Sequence, residues 1–207
     1  MSAPMTDVPA KKSRLFYFRH GETAWSLSGQ HTGVTDLPLT AHGEALARAL
    51  KPWISALTFS QVLTSPRARA RKTCELAGAS DQPDIEPDAA EWNYGDYEGR
   101  RSSDIRLERP GWDIFRDGCP NGESPAEISA RADRLIVRIR EMEGDVALFA
   151  HGQFGMVLAA RWIGLDVFQA RHFRIDPASV SVLARDPDHP ETPVFLLWNA
   201  SPATAPF

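Results

Sequence analysis

The stretch Leu-Phe-Tyr-Phe-Arg-His-Gly-Glu-Thr, residues 15–23, decides the fold of this chain. Its four apolar and aromatic residues predict a short buried strand, and the polar residues that follow mark the end of that strand. Gly21 gives the backbone the freedom to turn there. Because ligands bind at the carboxyl ends of strands in open α/β sheets, Arg19 and His20 are candidates for a binding site at this edge.

The chemistry of these two side chains indicates a phosphate site. The guanidinium of Arg19 offers a fixed fork of donors to phosphate oxygens. The imidazole of His20, largely neutral near pH 7, can attack a phosphorus atom. A solvated turn is the alternative interpretation, since so short a motif occurs by chance in many chains. The rest of the sequence must decide between the two.

Composition limits the class of protein. A chain of 207 residues, 43% hydrophobic and 24% charged, is typical of one soluble domain. The net charge of -4 argues against nucleic acid or an anionic membrane as partner, because both require a basic face. Cys74 and Cys119 form neither a zinc nor a disulfide pattern, which favours the reducing cytoplasm. Residues 1–13 have no apolar run of signal-peptide length and are predicted to be a disordered tail.

A second strand repeats the opening pattern of strand, histidine and glycine. Residues 145–150 are a continuous apolar run after Asp145, which predicts a buried parallel strand, and the run stops at His151 and Gly152. A helix is predicted over residues 153–163. If the two strands are neighbours in the sheet, His20 and His151 meet over one ligand.

A cluster of basic residues follows a further predicted strand at residues 61–64. Ser65 and Pro66 are predicted to be the N-cap and the first position of a helix that carries Arg67, Arg69, Arg71 and Lys72 in its first turns. Cations are unfavourable at a helix N-terminus unless an anion is shared there. One of these arginines is therefore a candidate phosphate ligand, but spacing alone does not choose between them.

The remaining elements complete a three-layer α/β sandwich with a mostly parallel central sheet and helices on both faces. Residues 25–39 are predicted to be a loop, Thr40 begins a helix that Pro52 bends or restarts, and Ser124 begins a capped helix. Residues 92–123 are predicted to be a small helical insertion. Strands over residues 180–185 and 194–198 give the sheet an antiparallel edge. His42 and His189 are predicted to lie at the surface.

Four stretches in one order resemble the histidine phosphatase superfamily, whose members include cofactor-dependent phosphoglycerate mutase and many small-molecule phosphatases. They are the Arg-His-Gly-Glu-Thr motif at residues 19–23, the arginine motif at residues 65–73, the acidic loop headed by Glu91, and His151-Gly152. The resemblance implies a histidine phosphatase domain over residues 14–207.

Within that superfamily, three stretches are similar to the sedoheptulose-1,7-bisphosphatase type, namely residues 25–40, 91–99 and 116–123. Two positions depart from known patterns. Mutases usually carry Asn where this chain has Ser26, and His31 stands where the sedoheptulose enzyme is expected to carry an aromatic hydroxyl. The first departure counts against mutase activity, and the second bears on which sugar is accepted.

The resemblance also implies roles for individual residues. His20 is the expected nucleophile, Arg19, Arg69 and His151 are expected to hold the phosphate oxygens, and Glu91 is the expected acid and base, with Glu22 and Asp96 as competing candidates. Thr32, Gly33 and Gly152 are expected at the phosphate, and His31, Tyr94 and Arg116 at the distal part of the substrate. Arg100, Arg101 and Arg109 are equally available for a second phosphate. No metal or other cofactor is expected, because the cations are built into the chain.

The expected activity is that of a phosphomonoesterase acting on a small phosphorylated metabolite through a phosphohistidine. A sugar phosphate or bisphosphate such as sedoheptulose 1,7-bisphosphate is the expected substrate. Phosphoglycerate mutase, or a phosphatase of another small ester or of protein phosphotyrosine, is one alternative. An inactive relative that binds a phosphorylated partner is the other, although all of the motif positions are filled.

Overall fold

A six-stranded mixed sheet forms the centre of the molecule in the computed structural model, which describes residues 13–203. The strands are β1 (Leu15–Arg19), β2 (Gln61–Thr64), β3 (Asp84–Ile85), β4 (Val146–Ala150), β5 (Val180–Arg185) and β6 (Pro193–Ala200). Their order is β3-β2-β4-β1-β5-β6, and the first four are parallel. The strands β5 and β6 are antiparallel and form one edge. This confirms the predicted mostly parallel sheet with an antiparallel edge.

Helices cover both faces of this sheet, because alternate residues of a strand point to opposite sides. Leu15 and Tyr17 of β1 belong to one apolar core, and Phe16 and Phe18 belong to the other. The first core is completed by α7 (Pro125–Glu141) and α8 (Gly152–Trp162), and the second by α2 (Ala41–Arg48), α3 (Lys51–Ser55) and α4 (Ala68–Ala77). The three predicted layers are therefore present.

Local signals in the sequence set several helix ends. Ser124 and Glu127 form the predicted capping box of α7, with the Ser124 side chain accepting from the Glu127 amide and the Glu127 carboxylate accepting from the Ser124 amide. Thr40 caps α2 by accepting from the Gly43 amide. The helix predicted from Thr40 restarts as α3, with Pro52 in its first turn, where a missing amide hydrogen costs least.

Other boundaries differ from the predictions. The helix α4 begins at Ala68 with Arg67 as its N-cap, so Ser65 and Pro66 precede the helix, and the prediction for them is wrong. The predicted loop of residues 25–39 contains a short helix, α1 (Ala24–Ser28), which Thr23 caps. The short strand β3 follows α4, in a part of the chain for which the sequence predicted no strand.

The segment of residues 92–123 contains two short helices, α5 (Ser102–Glu108) and α6 (Ile114–Asp117). Ile105, Trp112 and Phe115 are buried in the same apolar core as α7 and α8. The segment therefore packs against that face of the sheet. The predicted tail lies outside the described residues except for Ser13, whose hydroxyl donates to the Ile139 carbonyl. Between residues 13 and 203, the helices are all too short or too polar to cross a membrane.

Candidate active site

His20 and His151 lie side by side because β1 and β4 are adjacent parallel strands. Arg19 pairs with Ala150 in the register of these strands, so the next residue of each chain segment leaves the same edge of the sheet. The His20 amide donates to the Ala150 carbonyl (2.9 Å), and the two imidazole centroids are 5.2 Å apart. Both rings are buried. The strand adjacency that the sequence analysis required is confirmed.

The His20 ring is held in one tautomer. Its Nδ1 lies 2.6 Å from the Gly21 carbonyl oxygen, which can only accept, so Nδ1 carries the proton. Burial, together with the positive charges of Arg69 and Arg19, holds the pKa of His20 well below its usual value near 6.5. The ring is therefore neutral near pH 7, with a free lone pair on Nε2, and that nitrogen can act as a nucleophile.

A glycine is needed at position 21 mainly because the backbone of Gly43 comes close to it, and less because the chain turns there. A Cβ at this position would lie 2.4 Å from the backbone oxygen of Gly43, which is closer than atoms can pack. The Gly21 amide donates to the Thr73 hydroxyl (3.0 Å). These contacts fix the position of Gly21, the residue whose carbonyl orients the His20 ring.

His151 is bound through a residue that the sequence analysis assigned to a helix cap. Its Nε2 lies 2.6 Å from the Ser65 hydroxyl oxygen, which also accepts from the Arg67 amide (3.3 Å). This arrangement favours donation from Ser65 to Nε2, with the imidazole proton on Nδ1. Among the described residues, that Nδ1 has no hydrogen-bond partner. Burial and the nearby Arg69 and His20 lower the pKa of His151 well below its usual value, so His151 is a neutral donor.

Two guanidiniums accompany the histidines, the partly buried one of Arg19 and the fully buried one of Arg69. Arg19 donates through Nη1 to the Ile175 carbonyl (2.6 Å), and Arg69 donates to the carbonyls of Thr35 (3.0 Å) and Thr32 (2.9 Å). The Nε of each has no partner within the part of the chain that the structure describes. Burial lowers the pKa of both groups, which measures the cost of keeping the cations out of water. A bound anion offsets that cost.

Gly152 lets Arg19 lie against the start of α8. A Cβ on Gly152 would be 3.2 Å from both Cζ and Nε of Arg19, so a larger residue would push the guanidinium away. Gly152 thus contributes space, and it lines the cavity described below.

Glu91 is held at the amino end of α8. Its carboxylate accepts from the amides of Trp92 (2.9 Å), Gln153 (3.0 Å) and Phe154 (2.8 Å). Two of these amides belong to the first turn of the helix, where donors lack partners within the helix. The side chain is buried but reaches the cavity surface. This places a carboxyl group on the cavity that His20 lines, at the start of the helix that follows His151.

A cavity of about 280 Å³ opens at this edge of the sheet. Of the predicted site residues, those that line the cavity are Arg19, His20, His31, Thr32, Glu91, Tyr94 and Gly152. Arg69 and His151 are fully buried beneath it. The volume lies just below the range of about 300–1,000 Å³ typical of small-molecule sites, which fits a small metabolite.

Several predicted residues lie elsewhere. The Gly33 amide donates to the Glu98 carboxylate (2.9 Å), and Gly33 does not line the cavity. Arg116 also lies away from it, half-exposed and paired with Asp117 (2.8 Å). The competing acids do not reach the cavity either, because Glu22 accepts from Thr40 and Asp96 accepts from Asn121.

Four functional side chains were missed by the sequence analysis. Tyr17 bonds the backbone of His151, Ser65 bonds its ring, Gln153 lines the cavity, and Arg131 donates to the Glu91 carbonyl (3.1 Å). Only Gln153 carried a usable signal, since it follows the His151-Gly152 pair directly. Within residues 13–203, no group of three or more His, Cys, Asp or Glu side chains is placed to hold a metal ion.

Known proteins of similar sequence include phosphatases and probable phosphoglycerate mutases. A sedoheptulose 1,7-bisphosphatase of Saccharomyces cerevisiae is 40% identical over 195 residues, covering 77% of this chain and 71% of that protein. An acid phosphatase of Mycobacterium tuberculosis is 36% identical over 176 residues, covering 83% of this chain and 86% of its own.

Solved structures show the same fold. The structure of an open reading frame of Mycobacterium tuberculosis superposes with a TM-score of 0.85 at 31% identity, over 93% of this chain and 100% of that one. The alpha-ribazole phosphatase of Shigella flexneri gives a TM-score of 0.78 at 27% identity, over 91% and 96%. The model of the histidine phosphatase superfamily (branch 1) matches residues 15–200. The chain therefore belongs to the histidine phosphatase superfamily, and it is a phosphoric monoester hydrolase.

Proposed function

We propose that this enzyme hydrolyses the monoester of a small phosphorylated metabolite, a sugar phosphate or sugar bisphosphate, through a phosphohistidine at His20. The observation that carries the proposal is the Nδ1 contact of His20 with the Gly21 carbonyl, which leaves Nε2 as a free base inside the cavity. Arg19, Arg69 and His151 lie close to His20, and each has a donor nitrogen without a hydrogen-bond partner within residues 13–203.

In the first step, Nε2 of His20 attacks phosphorus and the ester P–O bond breaks. Arg19, Arg69 and the Nδ1 hydrogen of His151 bind the equatorial oxygens, where charge lies in the transition state. Glu91, as the carboxylic acid, gives its proton to the departing oxygen. The products of this step are the free alcohol, a phosphohistidine and a Glu91 carboxylate.

In the second step, water attacks the phosphohistidine. The Glu91 carboxylate takes a proton from the water as the P–N bond breaks, which restores neutral His20 and the acid form of Glu91 and releases phosphate. Enzymes accelerate the hydrolysis of phosphate monoesters by up to about 10²¹-fold, so most of the effect must come from positioning and charge stabilisation. General acid catalysis supplies about 10²- to 10⁴-fold of it.

The substrate class rests on the cavity and on the relatives. A volume of about 280 Å³ suits a small metabolite, and the uncharged polar side chains of Gln30, Ser102 and Gln153 on its surface suit hydroxyl groups. The yeast relative is named for a sugar bisphosphate, and the bacterial one is named only as an acid phosphatase.

The proposal is tested with His20→Ala and a matched change of an exposed histidine, His42→Ala. Purified proteins are offered p-nitrophenyl phosphate, a panel of sugar phosphates, 3-phosphoglycerate and a phosphotyrosine peptide. We expect His20→Ala to abolish turnover and His42→Ala to leave it unchanged. Rapid quenching with labelled substrate should trap an acid-labile phosphoenzyme in the wild type and not in His20→Ala.

Three results would contradict the proposal. Activity of His20→Ala near the wild-type level would exclude the nucleophile. A strong preference for the peptide would exclude the metabolite class. Isomerisation of 3-phosphoglycerate faster than release of inorganic phosphate would favour a mutase.

A further inference from the structure

One wall of the cavity consists of uncharged side chains that support one another. His31 stacks on Tyr94, with centroids 4.5 Å apart, and its Nε2 lies 3.2 Å from the Ser102 hydroxyl. The Tyr94 hydroxyl donates to the amide oxygen of Gln153, so that this oxygen already has a partner within the wall. We call these four residues, His31, Tyr94, Ser102 and Gln153, the neutral wall; all four line the cavity.

The neutral wall stays uncharged under physiological conditions. Burial lowers the pKa of His31 to about 4, and Arg106 adds to this effect against the opposing charge of Glu98. Burial likewise raises the pKa of Tyr94 well above its usual value. Ser102 and Gln153 do not ionise. Near pH 7 this wall therefore offers hydrogen-bond donors and acceptors but no charge.

The arginines of the neighbouring segment, residues 100–109, do not line the cavity. Arg100 pairs with Glu108 (2.5 Å), Arg106 donates to the Trp112 carbonyl (2.9 Å), and Arg109 donates to the Tyr97 hydroxyl (3.0 Å). Arg101 is exposed, and its backbone forms a β-bridge with Gln30. Among residues 13–203, Arg19 is the one arginine or lysine on the cavity surface.

This distribution of charge has a consequence for the substrate. Arg19 and the buried Arg69 are both close to His20, whose pKa they lower, so both serve the phosphate under attack. A second phosphate carries a charge of about -1.5 to -2. Against the neutral wall it would lose hydrating water and gain no cation in exchange, which is unfavourable for binding. Hydroxyl groups lose little binding free energy at the neutral wall, because each can exchange a hydrogen bond to water for one to a side chain.

We infer that the cavity selects a monophosphate ester with an uncharged, hydroxylated leaving group, and discriminates against bisphosphates and against esters that carry a carboxylate. The inference rests on the proposed function and narrows it. The proposed function includes both sugar monophosphates and sugar bisphosphates as substrates. The inference keeps the monophosphates and excludes the bisphosphates.

The test compares substrates that differ in one charged group. The pairs are fructose 6-phosphate with fructose 1,6-bisphosphate, sedoheptulose 7-phosphate with sedoheptulose 1,7-bisphosphate, and glycerol 3-phosphate with 3-phosphoglycerate. We expect kcat/KM to be higher for the first member of each pair by at least about tenfold. Equal values, or a preference for the second members, would overturn the inference.

The same assay distinguishes failure of the inference about monophosphates from failure of the proposed function. An enzyme that turns over p-nitrophenyl phosphate and bisphosphates through His20 but rejects monophosphates would leave the proposed function intact and remove the inference. An enzyme inactive on every ester, p-nitrophenyl phosphate included, would remove both.

Variants test the origin of the selectivity. Ser102→Lys places an ammonium on the neutral wall, and Ser102→Met is its uncharged match in length. We expect Ser102→Lys to raise kcat/KM for fructose 1,6-bisphosphate relative to fructose 6-phosphate by at least about tenfold, and Ser102→Met to leave that ratio unchanged. A ratio that Ser102→Lys does not move would contradict the inference.

Arg101→Gln tests whether an arginine near the cavity binds a second phosphate. Arg101 is the residue to change, because it lies beside the cavity rim and is exposed. We expect this variant to keep the wild-type ratio of the two fructose substrates. A selective loss of bisphosphate turnover in Arg101→Gln would identify Arg101 as the cation that binds a second phosphate, and the inference would then be wrong.

Discussion

The hydroxyl of Tyr17 bonds both backbone groups of His151. It donates to the His151 carbonyl (2.6 Å) and accepts from the His151 amide (3.0 Å). Tyr17 lies on β1, two residues before the last residue of the strand, and its side chain is almost completely buried. A side chain of the central strand therefore fixes the start of α8, and with it the position of the second histidine.

Tyr17→Phe removes both hydrogen bonds. The buried His151 amide loses the partner that the hydroxyl provides, whereas the His151 carbonyl still accepts from the Gly155 amide (3.3 Å). We expect a loss of about 1–3 kcal/mol in the free energy of unfolding. We also expect kcat to fall by about tenfold or more with little change in KM, since a misplacement of about 1 Å costs on the order of 10²-fold. Urea unfolding and steady-state kinetics measure the two effects.

Tyr97→Phe makes the same chemical change away from the cavity, where the Tyr97 hydroxyl accepts from Arg109. It should leave kcat unchanged. If Tyr17→Phe lost stability but kept the wild-type kcat, Tyr17 would support the fold without positioning His151.

Glu91→Gln tests the proton transfer. The amide keeps the size of the side chain but cannot protonate a leaving group, and its NH₂ cannot accept from the three backbone amides that Glu91 binds. We expect kcat for a sugar phosphate to fall by about 10²- to 10⁴-fold. The fall should be much smaller for p-nitrophenyl phosphate, because p-nitrophenolate leaves without a proton.

Asp96→Asn is the matched control for this substitution. Asp96 is exposed, bonds Asn121 and does not line the cavity, so its variant should retain wild-type kinetics on both substrates. An equal loss on both substrates in Glu91→Gln would show that the carboxylate orders the site and does not act as the acid.

His31 makes the stability of the protein depend on pH. The unfolded side chain takes up a proton near pH 6.5, whereas the folded one stays neutral until about pH 4. The unfolded state therefore binds more protons between these values, and stability is lost as the pH falls through this window. Above pH 6.5 the contribution of His31 is fully present.

The variant His31→Gln isolates this contribution. Between pH 7 and pH 5, we expect the wild type to lose about 2 kcal/mol more unfolding free energy than His31→Gln. Urea unfolding of both proteins at the two pH values provides the comparison, which is independent of any stability difference at pH 7. Parallel losses in the two proteins would show that His31 is charged in the folded state at pH 5.

Arg131 holds the loop that presents Glu91. Its guanidinium donates to the Glu123 carboxylate (2.7 Å) and to the carbonyls of Asp88 (2.8 Å), Ala90 (2.6 Å) and Glu91 (3.1 Å). Arg131→Met removes the donor to three carbonyls and takes the cation away from the Glu123 carboxylate, which keeps only the Asn93 amide (2.8 Å) and the solvent. We expect a loss of about 3–5 kcal/mol in unfolding free energy.

The neighbouring Arg134 allows a matched substitution on the same helix. It is 60% exposed and pairs with Asp88 at the surface, so Arg134→Met should cost about 0–1 kcal/mol. Chemical denaturation of the two variants decides the prediction. A similar small loss in both would mean that the Arg131 contacts are solvated and do not brace the loop.

The sheet and the meeting of the two histidines could be predicted because they depend on short local patterns. An apolar run that ends in His-Gly marks the end of a strand, and the parallel pairing of β1 with β4 then fixes the neighbours. The capping box of α7 is equally local. Such signals need no knowledge of distant residues.

Contacts between distant segments could not be predicted in this way. A serine before a proline has the local pattern of a helix cap, yet Ser65 binds His151, 86 residues further along the chain. His31 stacks on Tyr94 and lies 5.8 Å from the Trp112 ring, and no spacing rule relates these positions. The distal side of the cavity is built from such pairs, so its composition emerged only from the folded structure.

The two chain segments that border the cavity are joined along a seam. The Glu98 carboxylate accepts from the amides of Gly33 and Thr35, and the backbone of Gln30 pairs with that of Arg101. Because a carboxylate bound to two main-chain amides and a backbone β-bridge join the segments, movement of one segment alone would break these hydrogen bonds. To redesign the enzyme for a new metabolite, both segments should therefore be replaced together. The strands that carry the two histidines can stay unchanged.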